Sequence, residues 1–164
     1  MNDPKTKLLL DDLKQPDASV RDMATQTLWQ NWFQQKGEWG LTLLKQSQLA
    51  LDGGELERAE LILNDVIRSQ PDFAEAWNRR AVLYYIQRRY QAAIADCQHV
   101  LNLVPFHFGA LHGLGLCHVA LKEYRAAIYA FQQALEIQPY AVANQKLLLE
   151  CTMQLDHAEH PQCE

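Results

Sequence analysis

Residues 74–105 read AEAWNRRAVLYYIQRRYQAAIADCQHVLNLVP, and this stretch decides the fold. Trp77, Ala81 and Tyr84 fall at i, i+4 and i+7, one stripe of an amphipathic helix. Ala93, Cys97 and Val100 repeat that spacing farther on, so a second helix follows the first. Small side chains at Ala81 and Ala93 let the two backbones approach closely, while Trp77 and Tyr84 fill the space on either side. Pro105 closes the stretch, because proline cannot continue the hydrogen-bond ladder of a helix. A helical hairpin of this kind cannot bury its apolar face alone.

The same signals recur along the chain with a period of 34 residues. Pro71, Pro105 and Pro139 keep that spacing, as do Ala59, Ala93 and Ala127, and Ser47, Ala81 and Gly115. Larger residues follow: Leu43, Trp77 and Leu111; Leu63, Cys97 and Phe131; Leu56, Tyr90 and Tyr124; Val66, Val100 and Ala134. Seven columns in register across three copies predict three stacked hairpins that bury one continuous core. Turn positions such as Asp52-Gly53-Gly54-Glu55 lie between the helices, where glycine tolerates a positive φ.

This order of residues (Trp, Leu, small, Tyr, then Ala, Phe, Ala and a closing Pro) resembles the tetratricopeptide repeat. The middle copy matches at Trp77, Ala81, Tyr84, Ala93 and Pro105, and the last at Leu111, Leu114, Gly115, Ala127, Phe131, Ala134 and Pro139. The first copy matches more sparsely, through Gln46, Ser47 and Ala50. The resemblance implies an all-α fold, a right-handed α–α superhelix over residues 40–139 with repeats at about 40–73, 74–107 and 108–139. Segments such as PDFAEAWNRRA and PFHFGALHGLG also resemble small bacterial and plant-type proteins that join an N-terminal helical hairpin to three repeats. That family implies a fold and no particular activity.

Outside the repeats, Asp3-Pro4 reads as an N-cap and first-turn proline ahead of Leu8, Leu9, Leu10 and Leu13. Gln15-Pro16-Asp17 breaks that helix, and another begins near Ser19 carrying Val20, Ala24, Leu28, Trp32 and Phe33. The phrase DDLKQPDASVRDMATQTLWQ resembles a HEAT-type hairpin. Residues 1–39 are therefore expected to form a cap on the first repeat's apolar edge, with extension of a binding surface as the alternative. Residues 140–156 are expected to form a capping helix through Leu147, Leu148 and Cys151, and residues 157–164 a flexible tail.

Composition removes several functions. The formal charge is −5 and no basic stripe is present, so nucleic acid is not an expected partner. No run reaches the roughly 18 apolar residues of a membrane helix. The polar start, Met1-Asn2-Asp3-Pro4-Lys5, has no apolar leader core, and the expectation is a cytoplasmic protein without a membrane partner. Cys97, Cys117, Cys151 and Cys163 contain no CxxC pair, which disfavours a zinc site and points to reduced thiols. Cys97 and Cys117 read as small buried hydrophobes, and His118, in the Tyr84 column, as a core residue. No nucleophile elbow, phosphate loop or geometrically arguable carboxylate pair appears, so no catalytic residue, no resident metal and no cofactor is expected, and the chain reads as a non-enzyme.

The tetratricopeptide resemblance implies a concave groove lined by the first helix of each repeat. The positions that match it include Leu44, Gln48, Leu51 and Asp52, then Glu75, Asn78, Arg79, Val82, Tyr85 and Ile86, then Gly109, His112, Gly113, Leu116 and Val119. The partner-binding set is Gln48, Asn78, Arg79, Val82, Tyr85, Gly109, His112, Gly113 and Leu116, and the implied partner is a protein or peptide. Chaperone-adaptor members grip a terminal carboxylate with a five-residue clamp. Its positions here hold Leu44, Gln48, Arg79, Gly109 and Gly113, only one of them charged, so an Hsp70 or Hsp90 C-terminal carboxylate is not the expected ligand. Gly109 and Gly113 each cost a helix about 1 kcal/mol relative to alanine. They read as room for a partner backbone, and Gly115 as close helix packing.

The leading functional expectation is an interaction scaffold that docks a peptide or partner helix in the groove. The alternative is a homodimer formed through the repeat edges or the N-terminal hairpin. A third reading is a thiol- or metal-responsive regulator using Cys151, His157, His160 and Cys163.

Overall fold

The computed structural model describes residues 3–159. Among them are nine helices and no strand. They are α1 (Pro4–Asp12), α2 (Ala18–Phe33), α3 (Gly37–Asp52), α4 (Leu56–Ser69), α5 (Ala74–Ile86), α6 (Tyr90–Leu103), α7 (Phe108–Ala120), α8 (Tyr124–Ile137) and α9 (Val142–Glu159). The pairs α3/α4, α5/α6 and α7/α8 are the three hairpins that the spacing predicts. They stack into an α–α superhelix, with α9 packed on α8.

The columns form the core. Ala59, Ala93 and Ala127 are wholly buried, as are Val100, Phe131 and Ala134. Within each hairpin a small-residue column lies in register with a larger one. Ser47 stands in register with Leu63, Ala81 with Cys97, and Gly115 with Phe131, so the smallest residue of one column faces the largest of the other. A Cβ on Gly115 would collide with the Phe131 ring. Gly115 is therefore a packing residue.

Each repeat ends in the same way. The residues before Pro71, Pro105 and Pro139 leave the α region, Gln70 at φ −138°, Val104 at φ −136° and Gln138 at φ −122°. The proline ring forces this, since it crowds the preceding residue out of the α region. At the N-terminus Asp3 caps α1 by accepting the Lys5 N–H at 3.0 Å, and Asp17 caps α2 by accepting the Ser19 N–H at 2.8 Å. No glycine or proline interrupts the chain between Val142 and Glu159, and α9 accordingly takes in His157, Ala158 and Glu159, which the sequence had assigned to the tail. The remaining tail residues, including His160 and Cys163, lie outside the described residues.

The N-terminal hairpin does not stack on the first repeat as a linear cap. Instead α2 runs along the inter-repeat turns. Lys36, just after it, pairs with Asp72 at 2.6 Å, Trp32 stacks on His107 with ring centroids 4.0 Å apart, and Thr25 accepts from Gln138 at 3.1 Å. Leu13 and Leu28 are buried in one cluster with Phe108 from α7. The aromatic pair Phe106 and Phe108 offers α2 an apolar seat at the turn, whereas Trp39 and Leu49 on α3 stay exposed at 48% and 70%.

The turns inside the hairpins share a left-handed residue at one position, again 34 apart: Gly54 at φ 77°, Arg88 at φ 59° and Lys122 at φ 60°. In each, the next N–H closes back on the helix, as Arg89 does on the Tyr84 carbonyl at 2.8 Å. Only the first copy carries the residue that this backbone favours. Arg88→Gly and Lys122→Gly are each expected to raise unfolding free energy by about 0.5–1 kcal/mol, and Gly54→Ala to lower it by about 1 kcal/mol. Urea denaturation followed by far-ultraviolet circular dichroism measures all three.

Candidate functional site

The first helices of the repeats bring the predicted groove residues to one face. Asn78, Val82 and Tyr85 follow one another along α5, and Gly109, His112, Gly113 and Leu116 do so along α7. These seven line a single cavity of about 140 Å³, with Ala81, Cys97 and Cys117 completing it. A wider recess of about 420 Å³ adjoins it, sharing Asn78 and Val82 and walled by Trp29 and Phe33 of α2. Gln48 and Arg79 stand apart from the smaller cavity. Arg79 lies in the wider recess and donates to Gln48 from α5 to α3. Among the other matched positions, Leu44 and Glu75 are buried, and Asp52 accepts from Gln48 at 2.7 Å.

Beneath the recess lies a polar cluster that the repeat spacing does not reveal. Glu75 is 1% exposed and receives Arg79 Nε at 3.0 Å, Asn78 Nδ2 at 3.2 Å and His107 Nε2 at 3.3 Å. His107 Nδ1 accepts the Ala110 N–H at 3.1 Å, which leaves the ring proton on Nε2 to donate to Glu75. The Arg79 guanidinium also lies 5.0 Å from the Phe33 ring centre. Its charge is thus matched by Glu75 and covered by an aromatic face. The sequence signal for this cluster is the pairing of two aromatic runs, Trp29 to Phe33 and Phe106 to Phe108, the first of which lies outside the 34-residue repeat.

The cavity itself is nearly apolar. Burial pushes the Cys97 thiol well above its usual range and the Cys117 thiol up to about 11. Both stay protonated at neutral pH and serve as apolar lining, as the sequence indicates. His112 Nδ1 lies 2.6 Å from Asn144 Oδ1 of α9, so the ring donates there and keeps Nε2 as its acceptor. His118 is partly buried and bonds to Glu123 at 2.6 Å, closing the α7–α8 turn. Among the described residues no group of three or more His, Cys, Asp or Glu is placed to hold a metal ion. Nor is any helix of the described residues long and apolar enough to cross a membrane.

The two groove glycines differ. A Cβ on Gly109 would stand 2.6 Å from Trp29 Cη2, so the close approach there is made by the chain's own indole. A Cβ on Gly113 would meet only Cys97 Sγ, at an ordinary 3.5 Å.

Residues 72–139 match the tetratricopeptide repeat family. A TPR repeat-containing protein of Rhizobium etli is 38% identical over 77 residues, which cover 47% of this chain and 38% of that protein. The chain spans about two fifths of the length of that curated relative. Among solved structures, the first TPR of Spaghetti (RPAP3) bound to an HSP90 peptide superposes with a TM-score of 0.68 at 19% identity, over 70% of this chain and 91% of that one. A double mutant of MamA (RS-1 ArsTM) superposes at 0.66 and 20% identity, over 96% of this chain and 91% of that one. At these identities the likeness is one of fold.

Removing Glu75 would leave Arg79 and His107 without their common acceptor. Glu75→Ala is expected to lower unfolding free energy by about 3 kcal/mol, the lower end for a broken buried pair because Arg79 is one-quarter exposed. The shift in urea midpoint measures it.

Proposed function

We propose, from the premise that this chain is a tetratricopeptide-repeat protein, that it is an interaction scaffold whose concave groove captures an apolar side chain of a peptide or partner helix. One observation carries the reading: seven residues from α5 and α7 line one nearly apolar cavity, and its rim leaves Val82 44% and Tyr85 36% exposed. A cavity of about 150 Å³ is enough to hold a benzene-sized group. A tyrosine at the rim is a residue type common in binding hot spots. The adjoining recess gives the rest of the ligand an aromatic wall. Amphipathic ligands dock in grooves of this kind through apolar anchors and a few polar contacts.

The same geometry argues against a terminal carboxylate of the Hsp70 or Hsp90 kind as ligand. Of the five clamp positions, Leu44 is buried, Gly109 lies beneath Trp29, and Arg79 is already paired with Glu75. Gln48 and Gly113 bring no charge. Recognition of a carboxylate needs several convergent donors. Nucleic acid is set aside on the net charge of −5, and a cytoplasmic setting with protonated thiols belongs to this reading.

Self-association is the second reading, and α9 is the place for it, with Val142, Leu149 and Met153 exposed at 58%, 62% and 52%. The N-terminal hairpin is a poorer place, because its aromatic face is already used within the chain. Sedimentation equilibrium of Leu149→Glu/Met153→Glu against the natural chain separates the two readings.

The groove reading is tested by panning a displayed-peptide library against the full chain and measuring the selected peptides by fluorescence anisotropy. The expected peptides carry an apolar anchor and bind without a free C-terminus. Val82→Glu, at an exposed position, is expected to weaken them about tenfold or more, about 1.4 kcal/mol. Peptides indifferent to Val82→Glu, with the variant folded, would sink the reading.

A further inference from the structure

Gly109 and Gly113 lie one turn apart on α7, and only one of them is covered. The indole of Trp29 rests on the bare backbone at Gly109. There it packs edge-on against His107 and Phe108, with centroids 5.5 and 5.3 Å away, and is stacked on Phe33 at 5.7 Å. Any side chain at position 109 would lift the ring.

That seat is one of three. Just past the C-terminus of α2, the segment leading into α3 is tied to the turn before α5, where Lys36 pairs with Asp72 and Gln35 donates to the Asp72 carbonyl at 3.0 Å. In the last turns of α2, Trp29 and Trp32 sit on His107 and Phe108 at the turn before α7. In its first half, Thr25 accepts from Gln138, and Arg21 lies 4.1 Å over the Tyr140 ring at the turn before α9. Together, α2 and the two residues that lead out of it therefore touch every inter-repeat turn.

In an ordinary solenoid each repeat contacts only its neighbours, and stability is a sum of local terms. We propose that α2 is an internal brace. It crosses the repeats, joins them into one cooperative unit and holds the spacing of α5 and α7 that forms the groove. Gly109 is the seat that lets it close. The sign of a glycine substitution decides the matter, because alanine in a helix ordinarily stabilises relative to glycine. None of the measurements uses a ligand, so failure of the groove reading would leave the brace standing, and failure of the brace would leave peptide capture to be judged by Val82→Glu.

The experiment is thermal denaturation of the full chain with Gly109→Ala and with Gly113→Ala, each alone and combined with Trp29→Leu, alongside amide hydrogen exchange. Gly113→Ala is expected to raise Tm. Gly109→Ala is expected to lower it, and to raise it once Trp29→Leu has removed the wide ring. Exchange in Gly109→Ala should quicken together at residues 71–73, 104–107 and 138–141, although only the middle segment adjoins the substitution. A rise in Tm from Gly109→Ala in the natural background, or faster exchange confined to 104–107, would overturn the brace. The two single substitutions and the exchange pattern decide it even where Trp29→Leu does not fold.

Discussion

The architecture depends on how closely two helix backbones approach within each hairpin. The column Ser47, Ala81, Gly115 sets that distance against the column Leu63, Cys97, Phe131, and the smallest residue of the one, Gly115, faces the largest of the other, Phe131. Interiors packed like organic crystals leave no slack for a larger residue in both columns at once. Where Phe131 fills the last hairpin, only glycine fits opposite. Hairpins closed in this way bury their remaining apolar faces by stacking on one another. The stack in turn lines up the first helices so that α5 and α7 face a common groove.

The legible part of the molecule was the part that repeats. Prolines at a fixed interval mark the ends of α4, α6 and α8 because each forces the residue before it out of the helix, a local effect that needs no tertiary partner. Columns such as Ala59, Ala93 and Ala127 are legible for a related reason: one steric requirement, met three times, leaves a periodic trace. The groove positions inherit that legibility, and seven of the nine residues assigned from the repeat pattern line one cavity. Their use by a partner is a separate matter, which the pattern alone does not carry.

The parts that were not legible are single events. His107 stands in the column of Phe73, and nothing about that exchange announces that its ring will lie between Trp32 and Glu75. Glu75 is only one matched groove position among several until α2 is laid over the neighbouring turn. Placing α2 requires contacts such as Thr25 with Gln138, 113 residues apart in the chain. A helix that crosses a stack instead of extending it obeys no period, so its amphipathic pattern tells only that it packs somewhere. Gly109 shows the consequence most plainly: two glycines with the same spacing logic acquire different meanings once one of them lies under an indole.

This crossing helix also alters the chemistry of the groove. In a bare stack, Glu75 and Arg79 would offer opposite charges to a ligand. Here they satisfy one another, with Asn78 and His107 sharing the carboxylate, and Phe33 lies against the guanidinium. A charge so matched gains little from a new partner, because binding would have to replace hydrogen bonds already made. What remains free at the surface is shape and apolar area around Val82, Tyr85 and Leu116. Under the proposed groove reading, discrimination would rest on the fit of a side chain into the cavity between α5 and α7, where an absent or oversized anchor would lose contact area or clash. The polar network lies beneath that cavity, with its buried carboxylate already shared among Arg79, Asn78 and His107.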